Sequence, residues 1–415
     1  MPSRCRALTR DAAAELVARA FAAPSAQLCG VEVEWPVHRR GLPTARPAYA
    51  DLAALAEAPL PCGARVTIEP GGQLELSTRP LESADAALDA AAMDTVALHG
   101  RLRAAGFEPV ESAVDTRRMP HRILEAPRYA CMEQFFEARS CAGSWMMCNT
   151  ASLQVNVAHQ PLDVQRRWAL THQLGPVLVA AFGNSPGIDR QGRRWQSMRQ
   201  AIWWSIDPGR TRPVPTSRPG PDALLDYALA ADVMLIRSAD EASVEPVAPG
   251  LSFGRWLTDG HPCGWPTADD LAYHLTTLFP PVRPKGWLEL RMLDLVEPWL
   301  REVATLVVMA ALTTDAAREL QATLPDTSDL WCSAARHGLA HPVLGRAANT
   351  LMDAILPRLG EITSSDVRRD NTRFFAERYV AQRTSPAQLV TNQRLRAPFA
   401  PDLGMTGEPQ SVLAG

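Results

Sequence analysis

The sequence predicts a mixed helix-and-strand fold. One sheet is backed by helices on one face and lined with acids and amides on the other, and a helical C-terminal third follows. Three observations lead there. Four segments alternate apolar and polar residues at the two-residue period of a strand. In each, the polar positions carry carboxylates, amides or arginine. Stretches with helical spacing separate these segments and fill most of the chain beyond Pro298.

Taken in order, the chain opens with an Ala-rich helical stretch at 11–23. Cys29–Val37 then reads as a strand, with Val31, Val33 and Trp35 on one face and Glu32 and Glu34 on the other. Acids two apart in a strand project to the same side. Arg65–Leu76 reads as strand, tight turn, strand. Val66 and Ile68 are β-branched, Pro70-Gly71-Gly72 is a turn signal, and Leu74 and Leu76 alternate with Gln73, Glu75 and Ser77. Glu69 and Glu75 are thereby held near one turn; alone, the stretch reads equally as an exposed hairpin.

Leu81–Ala105 reads as a long amphipathic helix, started near Ser83 and stopped at Gly106. Phe107–Val114 reads as a short strand and Arg128–Arg139 as a helix broken by Cys141–Gly143. Met146–Val157 reads as a strand from its alternating end, with Leu153, Val155 and Val157 opposite Ser152, Gln154 and Asn156. Asp163–Phe182 is an apolar helix with a kink site at Gly175-Pro176, and His172 within it reads as a packing residue.

Gly192–Asp207 gathers Arg193, Arg194, Arg199, Trp195, Trp203 and Trp204, as an arginine-lined anion pocket or as plain packing. Tyr227–Ile236 fits strand or helix, with Val233–Ile236 favouring strand at its end. Thr267-Ala268-Asp269-Asp270 carries a capping-box pattern. Trp287–Leu293 is a strand with Glu289 and Arg291 on one face and Leu288, Leu290 and Met292 on the other. Beyond it, 298–312, 314–324, 331–338, 342–359 and 371–383 read as helices. The chain is expected to form one domain over 1–398, with 399–415 a flexible tail.

Composition narrows the function. The 415 residues suffice for a large core, and 46% hydrophobic with 21% charged residues is ordinary for a globular enzyme. A net charge of −3 argues against nucleic acid or an anionic membrane as the main partner. No apolar run is long enough to cross a bilayer, and the first residues lack the apolar core of a signal peptide. The eight cysteines form no Cys-x-x-Cys pair, so a zinc or redox motif is not expected and a reduced, cytoplasmic protein is. Lys285 is the only lysine.

The four polar strand faces together describe a cavity wall carrying Glu32, Glu34, Glu69, Glu75 and Glu289, with Gln73, Gln154, Asn156 and Arg291 among them. So many like charges on one concave face repel unless cations neutralise them. Oxygen ligands without His or Cys favour Mg²⁺, with Mn²⁺ as the alternative. Several such ions beside Arg and Lys suit nucleotide phosphoryl transfer. Neither a Gly-x-x-x-x-Gly-Lys-Ser/Thr loop nor a Gly-x-Gly-x-x-Gly after a strand is present, which disfavours P-loop NTPases, protein-kinase-like enzymes and Rossmann enzymes.

Five stretches in this order carry a resemblance: Gly30-Val-Glu-Val-Glu34, Ile68-Glu-Pro-Gly-Gly-Gln-Leu-Glu-Leu-Ser77, Met146–Val157, Phe182-Gly-Asn-Ser-Pro186 and His274–Arg291. The chain resembles the plant/proteobacterial-type glutamate–cysteine ligases over about Cys29–Asp294, and most of all the actinobacterial ligase of ergothioneine biosynthesis. The resemblance implies an α+β domain whose curved antiparallel sheet forms a funnel, as in glutamine-synthetase- and guanido-kinase-like catalytic sheets, packed on helices. It implies that L-glutamate, L-cysteine and ATP give γ-glutamylcysteine, ADP and phosphate through γ-glutamyl phosphate, in a protein whose oligomeric state is open and for which a monomer is favoured.

By position the resemblance makes Glu32, Glu34, Glu69, Glu75, Gln154 and Glu289 metal ligands, with Glu75, Glu289 and Arg291 catalytic. Arg283, Lys285 and Arg291 would meet the ATP phosphates, with Tyr273 and His274 weaker candidates. Arg199, Asn156 and Trp203 would serve the substrate, Arg199 on the glutamate carboxylate. Two positions depart from the family pattern: Val33 stands between the first two acids, and Gly183 replaces the usual Ala of its turn. Neither removes a chemical group. The amine acceptor has no motif, so a ligase joining glutamate to another amine is the first alternative. A silent ATP- and Mg²⁺-binding protein on the same scaffold is the second.

Overall fold

In the computed structural model, which describes residues 7–22, 26–160, 163–238, 243–389 and 401–403, the centre is a six-stranded sheet. Its strands are β1 (Cys29–Trp35), β2 (Arg65–Ile68), β3 (Leu74–Ser77), β4 (Ser152–Ala158), β5 (Val282–Pro284) and β6 (Trp287–Asp294). They lie in the order β5-β6-β4-β1-β3-β2, and every pairing is antiparallel. A register irregularity separates Leu290 from Leu293 in the β6–β4 ladder.

The two faces of the sheet divide as the alternation requires. Val31, Val33, Trp35, Leu74, Leu76, Leu153, Val155, Val157, Leu288 and Leu290 are all buried. Behind them pack the helices Ala84–Ala104, Val164–Phe182 and Pro298–Thr313. These apolar side chains belong to one connected core that runs on through the C-terminal helices. Burial of this order, at about 25 cal/mol per Å² of apolar surface, fixes the sheet's orientation, because a one-residue slip would turn every acid inward.

Local chemistry sets the ends of the elements. Ser83 caps the helix Ala84–Ala104 by accepting from Ala86 N. Thr267 and Asp270 form both halves of the expected capping box on Ala268–Leu275. In the β2–β3 hairpin, Gly72 has φ of +84°, which a side chain would strain. Gly71 lies against the main chain of Cys148: a Cβ there would sit 2.2 Å from that carbonyl oxygen.

Two expectations change and one open reading is decided. Met146–Val157 is not strand throughout: a helix runs over Ala142–Asn149 and the strand begins at Ser152. Trp145, Met146, Met147 and Cys148 are all buried, and their helix packs between Pro127–Glu137 and Met198–Ile206. A helix buried all round shows no period, so only the alternating part of the segment carried a strand signal. Phe107–Val114 is strand only over Phe107–Pro109, paired with Val37–Arg39. Tyr227–Ile236, open between strand and helix, resolves into the end of the helix Gly220–Ala230 and, at its own end where strand was favoured, the strand Leu235–Arg237.

The seven described cysteines form no disulfide, and no helix of the described residues is long and apolar enough to cross a membrane. Of the expected tail, 401–403 are described: Leu403 is buried and Asp402 accepts from Gln191 Nε2 at 3.0 Å. The remainder, 399–400 and 404–415, lies outside the described residues.

Candidate active site

Register places the polar side chains in rows across neighbouring strands. Thr67, Glu75 and Glu34 form one row, Ser77, Glu32 and Gln154 the next, and Asn156, Glu289 and Arg283 a third. Side chains directly opposite one another on one face stand about 5 Å apart. Strands far apart in sequence thus deliver their acids to one surface. Glu69 joins from the turn, where its N–H donates to Gln73 O and its carbonyl accepts from Gly72 N.

This surface is the floor of a cavity of about 700 Å³. Glu32, Glu34, Glu69, Glu75, Glu289, Arg283, Lys285, Arg291 and Trp203 line it. Gln154 and Asn156 lie in the sheet beneath and tie the acids together. Gln154 Nε2 donates to Glu34 at 3.3 Å and Glu75 at 3.1 Å, and Asn156 Nδ2 donates to Glu32 at 2.9 Å. The carbonyl oxygens of these amides are held too, by Arg291 and by Trp287 respectively.

The cavity has two electrostatic poles. At the first, four acids face one another with too little positive charge among them. Burial, then the charges of Glu75 and Glu289, push Glu32 up to about 7. Burial and Glu34 push Glu75 up to about 7. Burial raises Glu34, and burial with Glu75 and Glu34 raises Glu69 well above the carboxylate range. At the second pole three cations share one acid. Glu289 accepts from Arg283 at 2.6 Å, Lys285 at 3.0 Å and Arg291 at 3.0 Å. Burial alone would raise Glu289, but Arg291, Arg283 and Lys285 together hold it well below the ordinary range.

Arg199 stands apart from the main cavity. It is buried in a small adjoining pocket with Trp203, Phe279 and Arg291. Its Nη2 donates to Arg291 O at 3.0 Å, and its Nε and Nη1 have no hydrogen-bond partner among the described residues. Asp294, itself gripped by Ser185, Ser197 and Asn184 N–H, is the acid that most offsets its charge. His274 does not line the cavity: its ring is buried and bonds to Ala228 O. Tyr273 lies under the guanidinium groups of Arg128 and Arg237.

The structure also brings in residues that the sequence did not single out. Thr67 and Ser77 hydroxyls donate to Glu75 at 3.2 and 3.3 Å. Arg128, Tyr129, Met132, Met146 and Met147 build the wall beside Glu69. Thr67 and Ser77 could have been found, since they share the polar face of the hairpin. The others come from helices whose spacing shows burial and nothing more.

Among the described residues, no three His, Cys, Asp or Glu side chains are arranged as they stand to hold a metal ion. The donors nonetheless fit a hard divalent cation in kind: they are carboxylates whose raised proton affinity comes from burial and mutual repulsion, while Gln154 turns its NH2 to Glu34 and Glu75 and its oxygen to Arg291, so its amide would have to flip to act as a ligand. Glu289 fits least well, because its oxygens are already engaged by three cations.

Comparison with known proteins bears on the family and the fold. Glutamate–cysteine ligase EgtA of Mycobacterium tuberculosis is 39% identical over 338 residues, 77% of this chain and 76% of that protein. EgtA of Mycolicibacterium smegmatis is 37% identical over 370 residues, 86% of this chain and 85% of that protein. The chloroplastic glutamate–cysteine ligase of Arabidopsis thaliana is 30% identical over 71% of this chain. Among solved structures, glutamate–cysteine ligase GshA of Francisella tularensis in complex with AMP shares the fold, with a TM-score of 0.51 at 13% identity over 88% of this chain and 84% of that one. The profile of glutamate–cysteine ligase family 2 (GCS2) matches residues 28–379, and the chain belongs to that family.

Proposed function

We propose that the protein joins the γ-carboxylate of L-glutamate to the amine of L-cysteine with ATP, giving γ-glutamylcysteine, ADP and phosphate. The observation that carries this is the pairing of an acid-rich pole with a cation-rich pole on the floor of one cavity. A triphosphate and a carboxylate repel one another, so a site that brings them together must supply positive charge to both and hold them in line.

In this reading a γ-carboxylate oxygen of glutamate attacks the γ-phosphorus, the bond to ADP breaks, and γ-glutamyl phosphate forms. The cysteine nitrogen then attacks the γ-carbonyl carbon, phosphate leaves, and the amine proton passes to solvent or to the departing phosphate. Arg291, Arg283 and Lys285 meet the phosphoryl charge, held ready by Glu289. Glu32, Glu34, Glu69 and Glu75, with Gln154, would hold Mg²⁺ or Mn²⁺, and Glu289 could share an ion only by loosening its cations. Such ions would supply charge neutralisation of the phosphates. Arg199, with two unpartnered N–H groups beside Trp203, would take a carboxylate of glutamate, and Asn156 would hold Glu32 in place. The sheet is taken as the curved funnel of the glutamine-synthetase- and guanido-kinase-like folds, and 1–398 as one catalytic domain. On the likeness to the EgtA proteins, the product is assigned to ergothioneine biosynthesis.

The test is mass spectrometry of the product from glutamate, cysteine and Mg²⁺-ATP, with phosphate release measured alongside. γ-Glutamylcysteine is expected, with phosphate dependent on all three additions. Phosphate at background would overturn the ligase reading. Faster turnover with 2-aminobutyrate or serine than with cysteine would reassign the acceptor.

A further inference from the structure

We propose that Arg46, which lies outside the cavity, is a positioning residue that holds the turn carrying Glu69 against the repulsion of the acid pole. The inference extends the proposed function and rests on it.

Arg46 sits between the strand Val37–Arg39 and the helix Tyr49–Glu57. Its guanidinium is half-buried and reaches four oxygens on three separate stretches of chain. Nη1 donates to Gly71 O at 2.5 Å and Cys148 O at 3.1 Å. Nη2 donates to Met119 O at 3.0 Å and Asn149 Oδ1 at 2.5 Å. Asn149 is anchored in turn: its amide donates to Asp115 O at 2.6 Å and Arg118 O at 2.8 Å. Arg46 therefore ties the hairpin turn to the end of the helix Ala142–Asn149 and to the loop at 115–119.

The rest of the turn is fixed around the same point. Gly71 N donates to Gln73 Oε1, and Gln73 Nε2 donates to Thr150 O at 2.9 Å. Ile123 N donates to Pro70 O at 2.7 Å. The missing side chain of Gly71 lets the turn lie flush on Cys148. Glu69 is two residues from Gly71 and faces Glu75, Glu34 and Glu32, with Arg291 as its offset. Left to electrostatics, the turn would swing away from the other acids. The planar fork of an arginine can bind four oxygens in fixed directions; a lysine, a single point charge on a flexible stem, cannot.

The test compares Arg46→Ala and Arg46→Lys with the wild-type full chain. Displacement of about 1 Å at a reacting group costs about a hundredfold in rate, and loss of an outer support costs about 10–100-fold in metal affinity or activity. Both variants are expected to keep a cooperative melt, to lose kcat by about 10–100-fold with KM for cysteine little changed, and to bind Mn²⁺ more weakly by a similar factor in calorimetry. Millimolar methylguanidinium should restore part of the rate to Arg46→Ala and none to Arg46→Lys. A folded Arg46→Ala with wild-type kcat and Mn²⁺ affinity overturns the proposal, as does rate loss that tracks only the unfolded fraction. If Arg46→Ala does not fold, wild-type values in Arg46→Lys overturn it equally. The Mn²⁺ titration needs no turnover, so it separates failure of this role from failure of the ligase reading, which the wild-type assay reports.

Discussion

Asp115 lies between His38 at 2.9 Å and Arg118 at 2.7 Å, and accepts a further hydrogen bond from Arg117 N–H. Burial would raise its pKa, yet those partners bring it below the ordinary range. Glu75 lies on the cavity floor, where Gln154, Thr67 and Ser77 donate to it; burial first, then the charges of Glu34 and Glu289, raise it to about 7. One acid is compensated inside the protein; the other is left in want of positive charge. The difference separates structure from site. A buried acid with its cation built in serves the fold, whereas a row of acids without enough cations is a standing cost to the fold that a ligand can relieve.

The largest effect that sharpens this contrast is on stability. Asp115→Ala strands His38 and Arg118 without their acid and should destabilise the protein by about 3–5 kcal/mol. Urea denaturation would measure it, and catalysis by the fraction that remains folded should stay close to wild type. If stability is unchanged and kcat collapses, Asp115 belongs to the site and the division fails.

Glu75→Gln should do the reverse. Turnover should fall by about 10²–10³-fold, the range for a group that meets transition-state charge. The metal-free protein should melt at a higher temperature at pH 8, because one like charge has gone. Wild-type turnover in this variant would remove Glu75 from the site.

How much of this was legible in the sequence depends on periodicity. The strands announced themselves because Glu32/Glu34 and Gln154/Asn156 alternate with Val31/Val33 and Val155/Val157, and the hairpin because Pro70-Gly71-Gly72 admits one geometry. The cavity's other wall did not. Met146 and Met147 lie on a helix buried almost all round, so no face stood out, and Met132 lies on a helix whose apolar spacing shows which side is buried and nothing of a site. Arg46 was invisible for a different reason: its value lies in four oxygens contributed by Gly71, Cys148, Met119 and Asn149, and no local pattern records contacts made across a hundred residues. Glu289 was read as an acid among acids, but the fold surrounds it with Arg283, Lys285 and Arg291.

Arg291→Ala leaves Glu289 with Arg283 and Lys285, so the fold should survive, while kcat falls by about 10²–10³-fold. KM for glutamate should hardly move. A rise in that KM with kcat unchanged would place Arg291 on the substrate carboxylate, and the cation pole would no longer be the phosphoryl end of the site.

The smallest effect is a pH dependence, and its sign tells the two kinds of buried group apart. In the metal-free protein Glu32 and Glu75 titrate near 7, above the 4.5 of an ordinary glutamate. Their protonation stabilises the fold fully below about 4.5, and that contribution is lost as pH rises through 7. Buried His172 and His274 are held neutral, down to about 4 and about 3 against an ordinary 6.5. They oppose folding as pH falls below 6.5. Between pH 8 and 6.5 mainly the acids respond, so the melting temperature should climb as pH is lowered, by about 2 °C or less per pH unit. Below 6.5 the histidines counter the gain and the curve should flatten, then fall. Mg²⁺ with ATP should remove most of the climb, because cations then satisfy the acids at every pH in that range. Glu75→Gln should reduce it as well. A climb that survives both would have to come from groups elsewhere, and the acid pole would then have no claim to be the part of the fold that a ligand completes.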